Sequence, residues 1–171
     1  GQLFAQERGT EKKPIEGKVR IITGFTTEYI DAEFVNGIAA GKWEYYKNNN
    51  LSEVTNYEDG YENGEKLSYY GDGKTLSMKV NLLKGKVDGV ATRYDSNGNK
   101  EYEKSMKNGV DDGPERTYSK EGEILSETIF KDGKAEGKSF ATMNNCFSDC
   151  YKQTRFYKNG QLDGEYSEVF C

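Results

Sequence analysis

Six times along the chain one glycine is followed four residues later by another, at Gly37/Gly41, Gly60/Gly64, Gly85/Gly89, Gly109/Gly113, Gly133/Gly137 and Gly160/Gly164. The second glycines lie 23, 25, 24, 24 and 27 residues apart, and the pairs account for 12 of the 20 glycines. Such a period marks a tandem array in which each unit is one supersecondary element stacked on its neighbours. A repeat scaffold dictates how a surface is built and leaves open what it holds.

The units read as β rather than α. Before each first glycine stands a small polar or charged residue, Asn36, Asp59, Lys84, Asn108, Asp132 or Asn159. Asn-Gly and Asp-Gly reach positive φ at low cost and punctuate hairpins. Three residues before the first glycine the column reads Phe34, Tyr57, Leu82, Met106, Phe130 and Tyr157. Five residues after the second glycine it reads Tyr46, Tyr69, Tyr94, Tyr118, Thr142 and Val169, with Ile22 in that place after Gly17. Between the columns lie turn-forming segments such as Asn48-Asn49-Asn50, Gly71-Asp72-Gly73, Asn97-Gly98 and Glu121-Gly122. The pattern is strand, turn, strand, turn, with strands of about five or six residues and no room for helices. It predicts an all-β fold: an elongated, single-layer antiparallel meander of about six stacked β-hairpin repeats, on the order of 55 Å long. The domain reading is an N-terminal tail over 1–16 and a repeat domain over 17–171.

Composition fits a thin sheet. Only 34% of residues are hydrophobic and 31% are charged, yet 13% are aromatic, with 13 Tyr and 8 Phe. That aromatic content is too high for a disordered acidic chain. Tyrosine suits a half-wet sheet face, its ring covered and its hydroxyl within reach of water. Ordering the backbone costs about 1–2 kcal/mol per residue, so no unit is expected to be stable without neighbours.

The segments Gly41-Lys42-Trp43-Glu44-Tyr45-Tyr46 and Tyr57-Glu58-Asp59-Gly60-Tyr61-Glu62-Asn63-Gly64 resemble the MORN repeat in its bacterial variant form. Over about residues 17–171 the chain looks like the bacterial group called YwqK-type antitoxins. The resemblance implies the hairpin-repeat fold and an antitoxin-like or immunity-like binding role, with no catalytic residue to carry over. The family's name refers to membrane association, which the charge of this chain opposes.

The N-terminal run Gln2-Leu3-Phe4-Ala5-Gln6 reads as the end of a signal peptide, and residues 7–16 as a polar spacer. The expected location is therefore outside the cytoplasm, in the periplasm, cell envelope or extracellular space. Cys146 and Cys150 flank Phe147-Ser148-Asp149 inside the one unit lengthened to 27 residues, and Cys171 is the third cysteine. In an oxidising compartment Cys146–Cys150 is the simplest bridge, stapling an enlarged hairpin tip. Cys146–Cys171 and Cys150–Cys171 remain open, and one thiol is left over.

Chemistry is sparsely signalled. The chain has no histidine, so no Ser-His or Cys-His dyad can form, and neither a nucleophile elbow nor a phosphate-binding loop is present. We expect no enzyme, no cofactor and no metal site. Asp111-Asp112 reads as a solvated turn beside Gly113. Asp72, Asp88 and Asp95 are loop acids without the spacing of a calcium loop. A net charge of -5 and a pI near 5.0 oppose binding to nucleic acid and to anionic headgroups. A partner protein is expected, and a basic one is easiest to accept. Its candidate contacts are the aromatic stripe Trp43, Tyr45, Tyr46, Tyr69, Tyr94 and Tyr118, with Trp43 as anchor. The same rings equally suit packing within the sheet, or a glycan-binding module in which sugars stack on aromatic faces.

Overall fold

The computed structural model describes residues 4–5, 13–24, 27–144, 150–164 and 166–170. Every element among them is a strand. The chain forms two compact units, Gly1–Lys86 and Val87–Cys171.

In the first unit β1 (Phe4–Ala5) and β2 (Lys13–Pro14) pair as a small ladder. They are followed by β3 (Gly17–Ile22), β4 (Tyr29–Val35), β5 (Ile38–Lys47), β6 (Asn50–Glu58), the short β7 (Tyr61–Glu62), β8 (Gly64–Tyr69) and β9 (Leu76–Leu83). From β3 to β9 these make an antiparallel meander, with β7 a short pairing on β6 ahead of β8. The short β10 (Lys86–Val87) lies at the boundary. The second unit contains β11 (Gly89–Tyr94), β12 (Lys100–Lys107), β13 (Val110–Tyr118), β14 (Ile124–Lys131), β15 (Lys134–Ala135), β16 (Gly137–Asn144), β17 (Cys150–Lys158), β18 (Gln161–Leu162) and β19 (Ser167–Phe170). It has the same antiparallel up-and-down order. The all-β hairpin meander expected from the glycine period is thus what each unit contains.

The turns follow from backbone sterics. At all six Xaa-Gly pairs φ is 50–52° at the first residue and 74–81° at the glycine, the two positive values of a type I′ hairpin turn. Lys84 is the one residue in this column without an asparagine or aspartate side chain to offset the left-handed conformation, at φ 50°. Lys84→Asn is expected to stabilise the protein by about 0.5–1 kcal/mol. A thermal melt that moves downward would contradict this.

Register explains the apolar column. Gly17 and five of the six second glycines lie directly across from a large residue of the return strand: Gly17 from Phe34, Gly41 from Tyr57, Gly64 from Leu82, Gly89 from Met106, Gly113 from Phe130 and Gly137 from Tyr157. These glycines take φ of 62–117°, a conformation that a side chain would strain, and at Gly17, Gly64 and Gly137 no atom stands within 4 Å of where a Cβ would be. At the other end of four hairpins the register slips by one residue beside Tyr46, Tyr69, Tyr94 and Tyr118. The tyrosine column therefore marks a recurring β-bulge, which bends the strand before its loop.

Successive repeats are also joined through their turns. The amides of Gly37, Gly60, Gly85, Gly109, Gly133 and Gly160 donate to the carbonyls of Ile15, Ala39, Glu62, Val87, Asp111 and Ala135, at 2.8–3.0 Å.

Burial differs between the units. Phe34, Trp43 and Ala32 form the core cluster of the first, with Val19, Ile21, Ile30, Tyr45 and Tyr57 packed against it. Thr55, across from Trp43 in β6, has no exposed surface, and its hydroxyl lacks a hydrogen-bond partner among the described residues. An unsatisfied buried hydroxyl is costly and valine has nearly the same shape, so Thr55→Val should stabilise by about 1 kcal/mol. The check is a higher urea midpoint at unchanged slope; a lower midpoint would show that the hydroxyl is satisfied. In the second unit none of the described residues is buried.

Candidate interaction surface

The six candidate aromatics do not form one patch. Trp43 and Tyr45 alternate onto the core face of β5. The Trp43 ring lies 4.5 Å from Tyr57 and 5.2 Å edge-on from Phe34, and the Tyr45 hydroxyl is 3.2 Å from that of Tyr57. Trp43 is only 9% exposed, and its indole N–H donates to the carbonyls of Glu33 at 3.1 Å and Ala40 at 3.2 Å. It is a core residue rather than the rim anchor its size suggested. Burial, with the hydrogen bond to Tyr57 second, pushes the Tyr45 phenol far up.

Tyr46 lies on the opposite face. Its ring stacks on Tyr29 at 4.5 Å, its hydroxyl donates to Glu44 at 3.3 Å, and the Arg20 guanidinium sits 4.0 Å over Tyr29. Arg20 in turn grips Asp31 through two bonds of 2.6 Å, which holds the Asp31 carboxyl below its usual value. A groove of about 470 Å³ runs here over β3, β4 and β5, lined by Lys18, Arg20, Asp31, Glu33, Lys42 and Glu44 among others. Its charges balance. Tyr69, half-buried, pairs across from Leu76.

Tyr94 and Tyr118 belong to the second unit and are likewise half-buried. The Lys100 ammonium lies 4.0 Å over the Tyr118 ring and 3.0 Å from Glu103. Glu103, Arg116 and Glu127 form a cross-strand row on β12, β13 and β14, with contacts of 3.0 and 2.5 Å. On the other face Lys104 bridges Asp111 at 2.8 Å and Glu115 at 3.1 Å. Burial alone would raise Glu103, but hydrogen bonds from Tyr118, Lys100 and Arg116 outweigh it and hold the carboxyl at about 2.

A depressed folded-state value means that the unfolded chain takes up the proton first. The stability that Glu103 contributes is therefore complete above its ordinary 4.5 and is lost as pH falls toward 2. The gap in urea midpoint between wild type and Glu103→Gln should close over that interval. A gap independent of pH would contradict the assignment.

The loop acids have structural partners. Asp72 accepts the amides of Lys74 and Thr75 at 2.9 Å and the Thr75 hydroxyl, which together hold it at about 2. Asp95 accepts the amides of Asn97 and Asn99 at 2.8 Å. Asp111 and Asp112 lie in strand β13 rather than in a solvated turn, because Val110 already pairs with Lys107, and Asp111 pairs with Lys104. Asp88, the residue before a second glycine, accepts the Asn108 amide of the next turn at 2.9 Å. Glu16 and Glu136, in the same place in their repeats, cap Asn36 at 2.7 Å and Asn159 at 2.9 Å. Sequence reasoning missed this capping column. Its signal was a polar side chain before most second glycines.

Cys146 and Cys171 lie outside the described residues, as do 1–3 and 6–12 of the N-terminal tail; Cys150 is placed only as the first residue of β17. No curated protein matches the chain. The model of the MORN repeat variant matches residues 87–108, which hold β11, the turn closed by Asp95, and β12. The chain thus carries a MORN repeat variant within an array of β-hairpin repeats.

Proposed function

We propose that this protein is a non-catalytic, exported repeat scaffold that binds another protein, in the manner of an antitoxin or immunity partner. MORN repeats are interaction modules, and one lies in the second unit. The observation that carries the reading is the wetness of that unit: none of its described residues is buried, so its side chains are spent on half-exposed faces rather than on a core. Such faces suit partner contact at modest desolvation cost. A glycan reader would need free ring faces, whereas Trp43 is packed against Phe34 and Tyr57 and Tyr118 lies under Lys100.

Affinity capture with the full chain from its native envelope fraction tests the proposal. A stoichiometric protein partner is expected. Binding to a polysaccharide array with no protein captured, or turnover in a hydrolase screen, would overturn it. Fractionation of the native source tests export separately.

A further inference from the structure

The chain contains five Asn-Gly pairs: Asn36-Gly37, Asn63-Gly64, Asn97-Gly98, Asn108-Gly109 and Asn159-Gly160. The dipeptide carries its own chemistry. With no side chain on the following carbon to hinder it, the backbone nitrogen of the glycine can attack the side-chain carbonyl of the asparagine. A five-membered succinimide forms, the Cγ–Nδ2 bond breaks, and Nδ2 leaves as ammonia with the proton of the glycine amide. Water then opens the ring at one carbonyl or the other, to aspartate or to isoaspartate, with no oxidant or reductant involved.

Attack requires a glycine nitrogen released from hydrogen bonding and a side chain free to swing towards it. Four of the five pairs are clamped against this by bonds to a neighbouring hairpin. The amides of Gly37, Gly109 and Gly160 donate to the carbonyls of Ile15, Val87 and Ala135 at 2.8, 2.8 and 2.9 Å. The amides of Asn36, Asn108 and Asn159 donate to Glu16, Asp88 and Glu136, so each of these turns is held at two consecutive residues. At Asn63 the side chain itself is held: its Nδ2 donates to Glu58, and its Oδ1 accepts the Lys84 amide of the next turn at 3.3 Å.

Asn97-Gly98 is bonded differently. The Gly98 amide donates to the Asp95 carbonyl at 3.0 Å and the Asn97 amide to the Asp95 carboxylate at 2.8 Å, both inside the loop that joins β11 to β12. Among the described residues no hydrogen bond ties this pair to a neighbouring hairpin, and nothing stands within 4 Å of where a Gly98 Cβ would be. Exposure does not separate the sites, because Asn108 and Asn159 are exposed as well. They differ in the motion that frees the glycine nitrogen, a fluctuation of one loop at Asn97 and the parting of two hairpins at the clamped pairs.

The geometry points to Asn97 as a site of spontaneous deamidation in the folded protein, with Asn36, Asn63, Asn108 and Asn159 converted only when neighbouring hairpins separate. Asn97 and Asn108 both lie in the segment that matches the MORN repeat variant, so one repeat holds the reactive pair and its control. Isoaspartate at Asn97 places an extra carbon in the main chain of the loop that Asp95 closes through Asn97 and Asn99.

The test incubates the full chain in mildly alkaline buffer and, in parallel, in denaturing urea, and follows each pair by peptide mapping that separates isoaspartate from aspartate. In buffer Asn97 should convert at least about tenfold faster than each of the other four, and in denaturing urea all five rates should agree within about threefold. Urea just below the unfolding transition should accelerate the clamped pairs and leave Asn97 nearly unchanged, since only the parting of hairpins exposes much surface. A clamped pair that reacts in buffer as fast as Asn97 would overturn the inference. So would an unmodified Asn97 under conditions in which the unfolded chain reacts, or clamped pairs that do not respond to urea below the transition.

Discussion

Truncating Trp43 to alanine is expected to destabilise the first unit by about 3–5 kcal/mol, a large share of the roughly 5–15 kcal/mol that holds a domain together. The ring joins β4, β5 and β6 through Phe34 and Tyr57. Its N–H also satisfies two carbonyls, so alanine both opens a cavity and removes hydrogen bonds. Trp43→Phe keeps most of the packing and should recover part of the loss. Trp43 is the single tryptophan, so wild-type fluorescence reports this core directly, and the variants are followed by far-ultraviolet circular dichroism in urea. A loss under about 1 kcal/mol would show that the ring is peripheral.

The second large effect concerns the glycine opposite the apolar column. Gly113 has φ 111°, and a Cβ built there would stand 2.8 Å from the Cβ of Ser105 on the adjacent strand. That atom is fixed to the β12 backbone and cannot swing away as a side-chain tip could. Gly113→Ala therefore combines backbone strain with a clash that must move a strand, at a cost of about 2–4 kcal/mol. Gly122 is the control, with φ 86° and nothing within 4 Å. Its alanine variant should cost about 1 kcal/mol, the conformational part alone. Equal losses at the two sites would mean that the close approach across β12 and β13 does not limit the fold.

The period, the turns and the tyrosine column were legible in the sequence because each depends on backbone geometry. Positive φ selects Asn, Asp and Gly locally, and the bulge recurs at the same distance from each second glycine. Which side a ring faces was harder to read. Trp43-Glu44-Tyr45-Tyr46 looks like one aromatic stretch, yet alternation sends Trp43 and Tyr45 to the core and Tyr46 to the far face. The ion-pair rows were hidden for a related reason. Arg20 with Asp31 and Arg116 with Glu127 lie 11 residues apart in sequence, and their pairing follows only once the register is known. In each case the basic residue is three after a second glycine and the acid six before the next first glycine. The capping acids Glu16, Asp88 and Glu136 act 20, 20 and 23 residues away, which no local motif reports. Composition averaged over the whole chain also concealed that the first unit has a buried aromatic core while none of the described residues of the second is buried.

Successive hairpins are joined through their turns, and the fold of each unit depends on it. Amide hydrogen exchange at Gly37, Gly60, Gly85, Gly109, Gly133 and Gly160 tests it most directly, since each N–H donates to the preceding repeat. All six should exchange at least about a hundredfold more slowly than in an unstructured peptide. Unprotected exchange at these glycines, with the strand amides still protected, would mean that the hairpins form without stacking and would contradict the account.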